Sequence, residues 1–258
     1  METLVFRLYG SMASWGEIAV GEDRHTASYP SKSAIIGLFG AALGIKRDDE
    51  DKQSQLQCGY SLSVEVFSTG RLLRDYHTTQ VPSSVGKINY RTRRDEIVLG
   101  KKQLGTILSS REYRCDAFAV VAIRALETAP YSLADLKEHL LQPKFHLYLG
   151  RKSCPLAAPL DPQIIQQVCF YDALNAYQHK PMLPTYEEES GELSKRDTVW
   201  LGKSKDRHYY WEGSPEDFSE SLDLKQMQTR TRHDQPLSRK RWQFTPRQEH
   251  YLFMQGDE

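Results

Sequence analysis

The sequence is poor in the features that announce an enzyme, a metalloprotein or a membrane protein. Cysteine occurs four times in 258 residues, at Cys58, Cys115, Cys154 and Cys169. No two of them form a C-x-x-C pair, so neither a zinc site nor a disulfide framework is indicated, and the expectation is a metal-free, cofactor-free protein of reduced cytoplasm. No apolar run approaches the roughly 20 residues of a membrane span. The opening METLVFRLYG is too short and too acidic for a signal peptide and reads as a strand. H-E-x-x-H, G-x-S-x-G, P-loop and G-x-G-x-x-G patterns are all missing, and the eight histidines are scattered. Acids gather in solvated runs, Asp48–Asp51, Glu187–Glu192 and around Glu212–Asp223, and no apolar strand frames them as a metal-dependent nuclease would require.

Net charge is also lacking: 34 Lys and Arg balance 34 Asp and Glu. The charges are segregated, however. Arg71 to Arg114 holds ten cations against four acids, and Lys225 to Arg247 holds seven against one. Such segregation suits a protein that holds a polyanion on one side only.

The chain reads as an α+β domain. Thr3–Tyr9 alternates as a strand, Gly10–Gly16 is a loop, and Ser31–Gly44 is an apolar helix whose start carries Ser31, Lys32 and Ser33. Tyr60–Phe67 is a second strand. Residues 81–110 project as a hairpin or mobile loop. Arg111–Leu126 is the strongest strand, Ser132–Leu141 a helix, and Phe145–Leu149 a short strand. That order is the ferredoxin-like β-α-β-β-α-β pattern with a large insertion. Beyond Pro159 the signals weaken. Residues 180–220 read as irregular and partly mobile, with short strands at Arg207–Trp211 and His250–Met254.

Three segments place hydroxyls and cations at element ends: Ser31–Ser33, Arg111–Arg114 and Tyr148–Ser153. Such ends hold phosphates, and the adjacent Tyr76, Tyr113 and Tyr148 offer rings on which unpaired bases can stack. Tyr29, Lys32 and His77 could in principle supply the base, cation and acid of a metal-free ribonuclease. A module that binds only proteins is a third possibility.

The ordered motifs GSMASWG, RHTASYPSKSAIIGLFGAALGIKRDD, RDYHT, REYRCDA and YLGRKSCPL strongly resemble the CasD family, the RAMP-superfamily subunit of type I-E CRISPR Cascade. The resemblance runs from about residue 3 to residue 160, and RHDQPLSRKRWQFTPRQEHYLFM is similar, more loosely, to the family's closing segment. It implies a ferredoxin-like, RRM-related palm over residues 1–160 with a β-hairpin thumb at 78–110, and an irregular extension over 161–258. It further implies a non-catalytic RNA binder that grips the 5′ handle of CRISPR RNA beside the adjacent backbone subunit and the large subunit. Target DNA is then engaged only through the complex. By motif the RNA contacts would be Arg24, Ser31, Lys32, Ser33, His77, Arg111, Tyr148, Arg151, Lys152 and Ser153, with Lys87 and Arg91 on the thumb. In the related type I-C system the equivalent subunit cuts the repeat itself, so an endoribonuclease is the alternative.

Overall fold

The computed structural model describes residues 1–17, 19, 21–82, 90–98, 104–181, 206–238, 241 and 243–256. A mostly antiparallel sheet of nine strands organises them. Its main path runs β6-β1-β5-β3-β7-β9-β8, where β1 is Glu2–Ala13, β3 Tyr60–Ser68, β5 Leu104–Ala125, β6 Gln163–Gln166, β7 Arg207–Trp211, β8 Gln228–Ser238 and β9 Gln243–Met254. Every neighbouring pair on that path is antiparallel. The two-residue β2 (Asp23–Arg24) lies parallel to β5, and β4 (Arg71–Pro82) pairs with the first half of β5. No helix of the described residues is long and apolar enough to cross a membrane.

Strand alternation sends successive side chains of β1 to opposite faces, and both faces are covered. Leu4, Phe6 and Leu8 join a core with Ile35, Ile36 and Phe39 of α1 (Lys32–Leu43), Leu56 of α2 (Glu50–Gly59), and Leu136 and Leu140 of α4 (Leu133–Leu141). Val5 joins Phe118, Val120 and Trp211 in a second core beneath Phe170 and Leu174 of α5 (Phe170–Asn175) and Phe218 of α6 (Pro215–Phe218).

Local chemistry sets the helix ends, and the short α3 (Arg93–Ile97) lies between β4 and β5 in sequence. Ser31 caps α1 by accepting from the Ala34 amide at 3.3 Å. Gly44, at φ 76°, closes it in the left-handed conformation, with the amides of Gly44 and Ile45 donating to Ala41 and Gly40. Ser132 and Asp135 form a capping box on α4. The acidic run at 48–51 is the start of α2. Asp49 caps it, and Glu50 and Asp51 occupy the first turn, where they complement the helix dipole.

Two sequence expectations need correction. Phe145–Leu149 is not a strand. Only one bridge forms, Tyr148 with Pro155, because the chain turns tightly here. Gly150 sits at φ 82°, and the Leu149 amide donates to Cys154 at 2.8 Å. The Leu149 carbonyl accepts from Ser14, and a Cβ at Gly150 would lie 1.8 Å from the Ser14 carbonyl oxygen. The strand beside β1 comes later, as β6. Gly10–Gly16 is likewise not all loop: β1 runs on to Ala13, which pairs with Arg114. The segment 182–205 lies outside the described residues, and with it the acidic run 187–192.

Glu65 of β3 lies directly across from Tyr209 of β7 and is 5% exposed. Its carboxyl accepts from the Tyr209 hydroxyl at 3.2 Å and lies 3.5 Å from Arg207 Nε. Burial outweighs both and pushes its pKa up from 4.5 to about 7. An acid whose pKa is higher folded than unfolded gives stability that is complete below about pH 4.5 and lost as pH rises through 7. Wild type should therefore lose up to about 3 kcal/mol across that window, and Glu65→Gln should flatten the decline. Urea unfolding at pH 5 and pH 8 checks this; equal losses in both proteins would refute it.

Candidate nucleic-acid interface

β5 is 22 residues long and serves two ladders. Its second half lies between β1 and β3. Its first half pairs with β4, from Arg71–Cys115 out to Pro82–Leu104, and with β2 at Ser110 and Arg111; β1 reaches only to Arg114, and beyond that the half forms an arm with β4. The arm leaves the body at a bulge between Val66 and Ser68. There Asp116 takes φ 57° and Gly70 φ 67°, and a Cβ at Gly70 would meet the Cys115 carbonyl oxygen at 2.4 Å. The Ser68 hydroxyl donates to the Asp116 carbonyl and accepts from the Gly70 amide, both at 3.2 Å.

The base of this arm brings the cations together. Arg24 of β2 and Asp75 of β4 both lie directly across from Arg111, so the three side chains share one face. His77, two residues further along β4, shares it too. Tyr113 follows on that face, and the Arg151 guanidinium stacks 4.9 Å above its ring. Arg151 also donates to the main-chain carbonyls of Glu112 at 3.3 Å and Arg24 at 3.2 Å. The turn that carries Arg151 exposes Lys152 and Ser153, and Tyr148 is 41% exposed. Tyr113 is 8% exposed, so it supports Arg151 and offers no face to a base; Tyr148 and Tyr76, 64% exposed, have accessible rings. Arg24, Arg111, Arg151, Lys152 and Tyr148 thus gather on and beside one face. His77 stands further out along the arm.

The start of α1 is different. Ser31 is 3% exposed and bonded to Ser33 at 3.0 Å. Lys32 is turned inward and pairs with Glu212 at 2.7 Å. Glu212 also takes Arg247 at 3.0 Å, and Arg247 reaches Asp234 at 2.6 Å and Glu249 at 2.7 Å. Glu249 in turn accepts from the Tyr29 hydroxyl, and the Tyr29 ring stacks on Tyr210 at 3.6 Å. Burial and the charge of Glu249 push the Tyr29 hydroxyl well above its ordinary pKa. Burial works against the Arg247 charge, but Asp234 and Glu249 outweigh it and hold that pKa up. Tyr29 and Lys32 are therefore committed to this network, and no contact joins either to His77 among the described residues.

Arg91 is exposed at the far end of the arm, where its amide donates to Asp95. Lys87 lies outside the described residues. Sequence reasoning missed Arg74 and His25, which flank Glu112, and the whole network around Arg247. The available signal for the network was the i, i+2 spacing of Arg247 and Glu249 in a strand-like run, which puts both on one face.

Removing one member of the network leaves a largely buried charge short of a partner. Lys32→Ala should cost about 1–3 kcal/mol, because Glu212 keeps only Arg247. Urea unfolding at neutral pH measures it; wild-type stability would show that the pair carries no weight.

A profile of the family described as CRISPR-associated protein (Cas_Cas5) matches residues 3–249. The CRISPR system Cascade subunit CasD of Escherichia coli (strain K12) is 32% identical over 206 residues, covering 76% of this chain and 82% of that protein. A chain solved within a CRISPR RNA-guided surveillance complex superposes with a TM-score of 0.61 at 25% identity, over 98% of this chain and 90% of its own. Another, described as a crystal structure of Cas protein, superposes with a TM-score of 0.58 at 24% identity, over 98% and 95%, and speaks to the fold alone. With a profile match that takes in every strand of the sheet almost to its end, the chain belongs to the Cas5 family of CRISPR-associated proteins and resembles its CasD members.

Proposed function

We propose that this chain is a non-catalytic RNA-binding subunit of a type I-E Cascade complex, and that it caps the 5′ handle of the CRISPR RNA at the base of the β4–β5 arm. The observation that carries the reading is the meeting of Arg24, Arg111 and Arg151 on one side of that base. Guanidinium groups on adjacent strands match a run of phosphates, and the exposed Tyr148 beside them suits an unpaired base. The relatives named as a Cascade subunit and as part of an RNA-guided surveillance complex support the same reading.

In this reading residues 1–160 form most of a ferredoxin-like palm and 161–258 an extension, which supplies the palm's edge strand β6 and continues its sheet through β7. The strand order β6-β1-β5-β3 supports the palm, and the β4–β5 ladder is its thumb. Its partners are the CRISPR RNA, the adjacent backbone subunit and the large subunit, in the cytoplasm, with target DNA reached through the complex. Base pairing by the guide reads the target, while the protein grips the constant handle by phosphates and shape. The engagement of Tyr29 and Lys32 inside the ion network supports binding over repeat cleavage.

The chain is to be co-expressed with its neighbouring genes and a repeat–spacer array, and the bound RNA sequenced from its 5′ end. One fixed 5′ end in every read is expected, with no cleavage of repeat RNA by the isolated chain in EDTA. Arg111→Ala should reduce RNA retained per complex about tenfold, equivalent to about 1.4 kcal/mol. An undiminished yield of RNA-loaded complex would overturn the assignment, and a fixed end generated by the chain alone would make it the processing ribonuclease.

A further inference from the structure

A buried carboxylate stands inside this cationic base. Glu112 is 6% exposed and sits between Arg111 and Tyr113 on β5. Alternation turns its side chain to the face opposite Arg111, Arg24 and His77. There its carboxylate ties β4 and residues 25–26 to β5. Oε1 accepts from Arg74 of β4, from Nε at 3.2 Å and Nη2 at 2.7 Å. Oε2 accepts from the Thr26 amide at 3.4 Å and lies 3.3 Å from His25 Nδ1. Its main-chain carbonyl accepts from the Ser14 hydroxyl at 3.1 Å and from Arg151. Hydrogen bonding to Arg74 holds the carboxyl below its ordinary pKa, so it stays ionised.

An ionised carboxylate beside a polyanion site opposes binding through space. It is compatible with the site when it organises more cations than it cancels. Arg24 immediately precedes the His25–Thr26 pair that Glu112 holds, and Arg151 in turn bonds the Arg24 carbonyl. A shift of residues 24–26 therefore displaces two of the three arginines at once.

We infer that Glu112 is a positioning residue of the RNA interface: it makes no RNA contact itself, and from the far face of β5 it fixes residues 24–26 against the arm so that Arg24, Arg111 and Arg151 present together. The inference rests on the function proposed above and adds a residue that acts only through others.

The test uses the full-length chain and a labelled single-stranded RNA copy of its own CRISPR repeat, with affinity measured across a salt series. The log–log salt slope counts phosphate contacts, about 0.7 for each on single strands. Glu112→Gln keeps one acceptor oxygen where the carboxylate has two, so it serves Arg74 or the Thr26 amide but not both, and should bind between wild type and Glu112→Ala. Glu112→Ala should bind about tenfold more weakly, with a slope shallower by about 0.7–1.4, the loss of one or two contacts. Unfolding midpoints establish that each variant is folded. Glu112→Asp, which is too short to span Arg74 and Thr26 together, should also give a shallower slope, and it decides the matter if the alanine variant does not fold. An alanine variant with the wild-type slope, or an aspartate variant with that slope where alanine does not fold, overturns the positioning role alone. Wild type that fails to bind RNA at any salt overturns the function proposed above, and this role with it.

Discussion

One covalent constraint governs the molecule: β5 is a single strand that must serve both the body and the arm. In the body its residues 117–123 are buried between β1 and β3 and fix the centre of the sheet. On passing Asp116 the same strand exchanges β3 for β4, while β1 stays paired as far as Arg114 before β2 takes that edge at Arg111. The exchange of β3 for β4 needs a break in register, and it falls at Gly70 and Asp116, both in the left-handed region, while the β1 register runs through unbroken. The cationic face sits at this point of exchange because three segments end there, the close of β1, residues 21–27 and the turn at 150–154. Unspent carbonyls there, those of Gly21, Asp23, Arg24 and Glu112, then anchor Arg24 and Arg151. The interface is thus a product of where ladders stop.

The second governing term is electrostatic. The interior between α1, β7, β8 and β9 is closed by ions as well as by hydrocarbon. Lys32, Arg232 and Arg247 meet Glu17, Glu212, Asp234 and Glu249. Taking such groups from water is costly, and the cost is recovered only when each keeps several partners of good geometry. Arg247 does so with three carboxylates. The same network explains how a basic run at 225–247 coexists with a neutral chain: part of that positive charge is spent internally and is not on offer to a ligand. Arg24 and Arg151, by contrast, meet main-chain carbonyls and the Tyr113 ring, which orient a guanidinium without neutralising it.

That distinction marks the limit of what the sequence discloses. The caps of α1 and α4, the start of β3 and the whole of β7 follow from local pattern, because caps and alternation are written over fewer than ten residues. α2 was hidden because its acids look solvated until Asp49 is seen as a cap. β6 was hidden because four residues flanked by glutamines carry almost no signal, and β8 because its arginines dominate its composition. The Ser31–Lys32–Ser33 helix start reads as a phosphate grip, yet Lys32 is claimed by Glu212, 180 residues away in sequence. Nothing local can reveal such a partner. The gathering of Arg24, Arg111 and Arg151 was legible only as separate basic segments; the register of β2 against β5 is what makes them neighbours.

The burial of the second sheet face narrows the paths open to a nucleic acid. Sheets that read single strands do so through aromatic rings left exposed on one face. Here the corresponding rings, Phe118, Tyr209 and Trp211, are at most 3% exposed. Two buried arginines hold the cover in place. Arg7 donates to the carbonyls of Pro159, Lys180 and Pro181. Arg124 donates to the Val168 carbonyl at 2.8 Å and lies 4.4 Å over the Phe170 ring. Lifting the cover would strand both guanidinium groups on an apolar surface and open the core around Phe170 and Leu174. A ligand that needs a stacking platform beside the cations therefore meets it at Tyr148, while the exposed Tyr76 stands on the opposite face of the arm. Closing the flat face and opening the arm are two consequences of one arrangement: the chain after Pro159 returns across the sheet, and β5 alone extends beyond it.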